Sequence, residues 1–228
     1  MSTIVIADRV RIPSWVNDLE SFRRWSRTDG YPERGWVSFL DGEIWVDMDM
    51  EQLFFHNQVK TEFTTVLVGL IKGKEVGYYF SDRAPLINEG ANLSTEPDGT
   101  FCSFRAIEEK RVNLVEGLEE GHVEIEGSPD MVLEVVSKHS VRKDTKVLRK
   151  LYWRAGIPEY WLVDARKPPL QFDILSWTER GYSATRRRQG WLKSKVFNRY
   201  FLLETKPDRL GNPEFFLRST DADPSSNA

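Results

Sequence analysis

The chain has 228 residues, of which 40% are hydrophobic and 29% charged, with a formal net charge of −3. That length suits one domain with a full core. No apolar run reaches membrane-spanning length, the opening MSTIVIADRV is too short and polar for a secretory leader, and the single Cys102 excludes a disulfide framework or a cysteine-based zinc site and fits a reducing cytoplasm.

In chain order, WVNDLESFRRWSRT has helical spacing, with Asn17 or Asp18 as its cap. GWVSFLDGEIWVDM reads as a hairpin, because Asp41-Gly42 falls between two alternating apolar runs. From His56 to Lys72, Val59, Phe63, Val66, Leu67, Leu70 and Ile71 form a helical stripe. Short strands are expected around GYYF, APLIN and GTFCSF, followed by EEKRVNLVEGLEEGHVEIEG as a charged surface connection. A strand over 130–137 comes next, then a helix from about 142 to 155 ended by Gly156 and Pro158. EYWLVD, LQFDILSW and the run around YSATRRR are further strands, the last two after turns at Pro168-Pro169 and Arg180-Gly181. One domain over residues 1–220 is expected, with the polar 221–228 as a disordered tail.

The net charge hides an asymmetry. Residues 1–137 carry 13 basic and 25 acidic side chains, whereas residues 138–199 carry 16 and 5. Such a basic segment either meets a polyanion or pairs with the acidic half of its own domain.

Glu134 is the anomaly in the pattern, a carboxylate inside the apolar run MVLEVV. Burying it there costs several kcal/mol unless charge or hydrogen bonds meet it. Strand alternation puts Asp130, Val132, Glu134 and Val136 on one side, with Asp130 roughly 13 Å away along the strand, too far to share an ion with Glu134. Asp98 in STEPDGTF, at the start of another apolar run, is the candidate partner on a neighbouring strand. Two such carboxylates, the Val135 carbonyl and waters suit an octahedral Mg²⁺. The same residues also read as a hydrogen-bonded core acid and a turn aspartate.

The order helix, strand, strand with Asp, strand with Glu, helix, strand resembles the αβββαβ core of the PD-(D/E)XK nucleases. SPDMVLEVVS, the RKD ahead of a helix ending in LY, AGIPEYWLVD and EPDGTF together resemble the Uma-two family of "putative restriction endonucleases" over roughly residues 35 to 203. The resemblance implies a restriction-endonuclease-like α/β fold, a mixed central sheet flanked by helices, with added N- and C-terminal strands. It also implies that Asp98 and Glu134 are the acidic residues of the site and that Mg²⁺, or Mn²⁺, is the cofactor.

The superfamily lysine position holds Val136, and the position four residues after the RKD aspartate, where many family members carry a lysine, holds Leu148. Of the lysines that remain, Lys138 lies in the loop, and Lys143, at the start of the helix, is the helix lysine closest in sequence to the exit of the acid strand and is the expected catalytic one. Val147, Leu148, Leu151, Tyr152 and Ala155 form the buried stripe of that helix, which turns Lys146 and Lys150 outward. His56, where family members often carry a histidine, is either an accessory site residue or a structural helix-end histidine. Asp144 either orients a lysine or supports the helix dipole. Arg142, Lys146, Lys150, Arg186 and Arg188 are the expected contacts to a nucleic-acid backbone, and no module that would read bases is present in the sequence.

The expected function is metal-dependent hydrolysis of DNA phosphodiester bonds by a cytoplasmic protein with DNA as partner and no membrane, a homodimer remaining open. Val136 and Leu148 favour the alternative, a catalytically silent relative that binds nucleic acid or a protein partner. A hydrolase acting on a smaller phosphate ester suits the metal pair equally.

Overall fold

The computed structural model describes residues 3–6, 10–117 and 121–224. An N-terminal hairpin, β1 (Thr3–Ile6) and β2 (Val10–Pro13), leads into α1 (Leu19–Ser26). Asp18 caps α1: its carboxylate accepts from the Ser21 amide at 2.7 Å while the Ser21 hydroxyl reaches back to the Asp18 amide. The hairpin of β3 (Trp36–Leu40) and β4 (Glu43–Asp47) turns at Asp41 and Gly42, with φ of 53° and 93°, the left-handed pair that a two-residue turn demands.

A π-helical turn, Leu53–Gln58, opens α2 (Val59–Lys74). Strands β5 (Gly77–Ser81), β6 (Leu86–Asn88), β7 (Leu93–Thr95) and β8 (Gly99–Ser103) follow, then α3 (Phe104–Glu108). Beyond α3, β9 (Val112–Glu116) and β10 (His122–Gly127) pair antiparallel where a charged surface connection is expected from the sequence. The reason is alternation within the charge: Val112, Leu114 and Ile125 pack on the core, while Glu124, on the other face, is buried against Arg23 and Arg27. After β11 (Met131–Val135), a second π-helical turn, Lys143–Leu148, opens α4 (Arg149–Arg154). The chain continues through β12 (Glu159–Asp164), β13 (Gln171–Thr178), β14 (Gly181–Ala184), β15 (Leu192–Ser194), β16 (Arg199–Pro207) and β17 (Pro213–Thr220).

The central sheet has the order β14-β13-β12-β11-β8-β5, parallel at β11–β12 and antiparallel elsewhere. With α2 and α4 it forms the expected αβββαβ core, a mixed sheet between helices. Met131, Leu133 and Val135 pack with Val59, Phe63 and Leu67 of α2, whereas Val132 packs with Leu148, Leu151 and Tyr152 of the α4 segment. The second sheet, β4-β3-β7-β6-β10-β9, holds residues that flank the site. Strands β15, β16 and β17 form a third sheet, tied to α2 by the Leu217 amide, which donates to Glu62 at 2.7 Å. The expected tail begins at Asp221, which pairs with Arg199 at 2.7 Å; residues 225–228 lie outside the described residues. Among the described residues no helix is long and apolar enough to cross a membrane.

Glu159 fastens the C-terminal strands to the core. It is buried at the start of β12 and accepts from Trp161 Nε1 at 2.9 Å, Ser194 Oγ at 2.7 Å and the Lys195 amide at 2.5 Å. Glu159→Ala leaves those buried donors unpaired and should cost about 2–4 kcal/mol of stability in a urea titration. A loss below about 0.5 kcal/mol, the range of an ordinary surface change, would contradict this role.

Candidate active site

The register of β11 against β8 pairs Met131 with Phe101, Val132 with Thr100 and Leu133 with Gly99. The register ends there, one residue short of Glu134 on β11 and of Asp98 before β8. There the strands part, and the Asp98 carboxylate takes the place of a ladder carbonyl, accepting the Val135 amide at 2.7 Å. Glu134 projects from the Val132 side toward the helix of Tyr152, whose hydroxyl donates to it at 2.5 Å. Asp98 and Glu134 therefore border one cavity of about 750 Å³, together with Val135, Lys143, Asp144 and His56.

The charges in this cavity are strongly coupled. Glu134 is only 3% exposed, and burial, then the carboxylates of Asp144 and Asp98, push its carboxyl well above the ordinary range against the opposing pull of Lys143 and Tyr152. Asp144, 1% exposed, accepts from the Ser140 hydroxyl, and burial lifts its carboxyl to about 7 although Lys143 and Ser140 oppose the rise. Its Oδ1 has no hydrogen bond among the described residues and lies 3.9 Å from Lys143 Nζ. For Lys143, burial opposes the charge, but Asp144, Glu134, Asp98 and Asp47 outweigh it and hold the ammonium above its usual value.

A second group of polar residues reaches Asp98 from the start of α2. His56 sits in the π-helical turn and Lys60 one turn later, so the i,i+4 spacing puts both on one face. His56 Nε2 lies 3.6 Å and Lys60 Nζ 3.7 Å from the Asp98 carboxylate. Glu51 ties the pair together, at 2.8 Å from His56 Nδ1 and 2.5 Å from Lys60 Nζ. Burial disfavours the charge of Glu51, yet Lys60 and His56 prevail and hold its carboxyl down at about 2. Lys60 is buried, and although burial opposes its charge, Asp98, Glu51 and Asp82 keep it protonated. Sequence reasoning did not single out Lys60 or Glu51; the available signal was a lysine four residues after His56, next to Val59 on the apolar stripe of α2.

The expected backbone contacts lie away from the cavity lining. Lys150 approaches Asp41 at 3.5 Å beside Arg154, and Arg142 covers the ring of Trp45 at 5.4 Å. Arg188 pairs with Asp223 at 2.5 Å, while Lys146 and Arg186 are exposed. The basic side chains that do line the cavity are Lys138, Arg166 and Lys167, together with Lys143.

The donor set suits a hard divalent cation. Asp98 and Glu134 offer carboxylate oxygens, Val135 a carbonyl, and the mutual repulsion of buried carboxylates is what a cation relieves. Among the described residues no group of three or more His, Cys, Asp or Glu forms a metal cluster, so water would complete an octahedral shell.

The sequence matches the model of the Uma2 family, described as "Putative restriction endonuclease", over residues 19–196. Among solved structures, the fold is similar to that of a "putative nuclease belonging to DUF820" from Anabaena variabilis ATCC 29413, with a TM-score of 0.56 and 15% identity. The match covers 79% of this chain and 90% of that one, and at this identity it speaks for the fold alone. No curated protein sequence matches significantly.

The carboxyl shifts imply a pH dependence of stability. Unfolded carboxyls titrate near pH 4, whereas folded Asp144 keeps its proton to about 7 and Glu134 well above its usual value. The stabilisation is therefore fully present below the unfolded values and is lost as pH rises through the folded ones. Without metal, Tm should fall from pH 5 to pH 8. Glu134→Gln, which cannot ionise, should show a shallower fall and a higher Tm at pH 8. An unchanged slope in that variant would show that Glu134 does not carry the effect.

Proposed function

The chain belongs to the Uma2 family, and we propose on that premise that it is a metal-dependent endonuclease hydrolysing phosphodiester bonds in DNA. The observation that carries this reading is that Asp98, held at the Val135 amide, Glu134 and Lys143 line one cavity. Asp98, Glu134 and the Val135 carbonyl would hold Mg²⁺ or Mn²⁺, which when bound lowers the pKa of its water and offsets charge on the phosphate.

The chain's own groups prepare that chemistry. Tyr152 fixes one oxygen of Glu134, and the Val135 amide fixes one oxygen of Asp98, so neither carboxylate has to reorganise as charge develops. Lys143 stays protonated among three carboxylates and supplies the donor that orients an attacking water. It does so from the start of the helix, because the usual lysine positions hold buried apolar residues, Val136 after β11 and Leu148 in the helix. Lys60 and His56 flank Asp98 on its far side and balance the charge there.

A second reading, a catalytically silent relative that binds DNA, is favoured by Lys60. Its ammonium, 3.7 Å from Asp98, already supplies a resident positive charge.

Nicking of plasmid DNA separates the two. The wild type should cleave only with Mg²⁺ or Mn²⁺, and Glu134→Gln should abolish cleavage. Lys143→Ala should lower kcat by about 100-fold or more with little change in metal affinity, as expected for a group acting in the transition state. Equal activity in wild type and Glu134→Gln would place the chemistry elsewhere, and inactivity in both would favour the silent protein.

A further inference from the structure

The two walls at the cavity mouth differ in chemistry. Residues 47–52, DMDMEQ, form one wall on the way from β4 to the π-helical turn; Asp47 and Asp49 carry its charge, Glu51 being paired with Lys60 and His56, and Met50 stands 97% exposed beside Asp49. The facing wall comes from the loop after β11 and the turn after β12, where Lys138 and Lys167 are exposed. The walls meet where Asp49 Oδ2 and His139 Nε2 approach to 3.4 Å. Below them, Glu134 and Asp98 are only 3% and 9% exposed.

We infer that this mouth selects single-stranded over duplex DNA, with an unstacked base lying against Met50 and Trp36 and the backbone running along Lys138 and Lys167. The inference rests on the nuclease reading of the cavity and names its substrate class. A duplex carries phosphates along both edges. If one strand reached down to Glu134, the other would be held near the acidic wall, where like charges repel in a partly desolvated setting. A single strand has one charged edge and one set of apolar base faces, which matches one basic wall and one wall tipped by an apolar side chain. Methionine is flexible and polarisable and makes favourable contacts with aromatic rings of any sequence. Trp36 lines the same mouth, with the Arg83 guanidinium over its ring at 5.2 Å. Stacking platforms of this kind bind strands without reading bases. The buried position of the carboxylates adds a steric requirement, since a flexible strand can enter a recess that a paired backbone spans.

The experiment uses the full chain and one labelled oligonucleotide, offered single-stranded and as its own duplex, with Ca²⁺ replacing Mg²⁺ during the binding measurement. At equal ionic strength the single strand should bind at least about ten-fold tighter. Met50→Ala should weaken single-strand binding about five-fold at unchanged Tm. Asp49→Asn should narrow the preference by improving duplex binding. Duplex binding as tight as single-strand binding, no binding of either form, or a Met50→Ala variant indistinguishable from wild type would each overturn the inference. A parallel cleavage assay in Mg²⁺ judges the nuclease reading separately: inactivity on both forms defeats that reading, while the binding ratio still decides the substrate class.

Discussion

The hydrogen bond from the Val135 amide to Asp98 is the constraint on which the site depends. In a continuous antiparallel ladder that amide would meet a backbone carbonyl. Here the β8 ladder begins only at Gly99, and the side chain of Asp98 just before it completes the pairing. The substitution does two things together. It satisfies a buried donor that would otherwise be costly, and it anchors a carboxylate beside Glu134 with one oxygen already committed. Parallel pairing of β11 with β12 secures the other flank, so Glu134 is held by the β12 backbone on one side and lies beside the Asp98 side chain on the other.

Burial of so much charge is expensive, and the structure shows how the expense is contained. Three carboxylates, Glu134, Asp144 and Asp98, surround Lys143, while Lys60 sits among Asp98, Glu51 and Asp82. A lone acid in the core would be neutralised by taking up a proton. This cluster instead keeps its ammonium groups charged and raises proton affinity where carboxylates face each other most closely, at Glu134 and Asp144. Such an arrangement is poor for stability and well suited to capturing a cation, because binding one removes a repulsion already built in. Tyr152 extends the same logic into the hydrophobic layer, where its hydroxyl needs a partner and finds Glu134.

How much of this was legible depended on the range of each interaction. The core fold could be read from local patterns: the Asp41-Gly42 turn, the apolar stripe of α2, the uninterrupted run of β11 and the Gly156 stop after α4. Asp98 and Glu134 stood out because each breaks or borders an apolar run, and Lys143 because it follows the acid strand closely. Lys60 was hidden because Asp82 and Asp98 are brought to it only by the fold, and Glu51 because its pairing with His56 and Lys60 forms only once the irregular turn at the start of α2 is in place. The hairpin of β9 and β10 was masked by its charge, since alternation with buried Val112 and Ile125 is visible only when the surrounding glutamates are discounted. The role of the triple arginine is not legible from composition: strand pairing of β14 stops at Ala184, Arg187 and Arg188 pair with Asp173 and Asp223 at the surface, and Arg186 stays exposed.

The central claim is that the carboxylates of Asp98, just before β8, and Glu134 of β11 form a cation site. Anomalous diffraction from a crystal of the wild-type protein soaked in Mn²⁺ tests it most directly. The account predicts a peak between Asp98 and Glu134, adjoining the Val135 carbonyl, and its loss in Glu134→Gln. A soaked crystal with the cavity accessible and no peak there, or with Lys60 remaining the sole cation against Asp98, would contradict it.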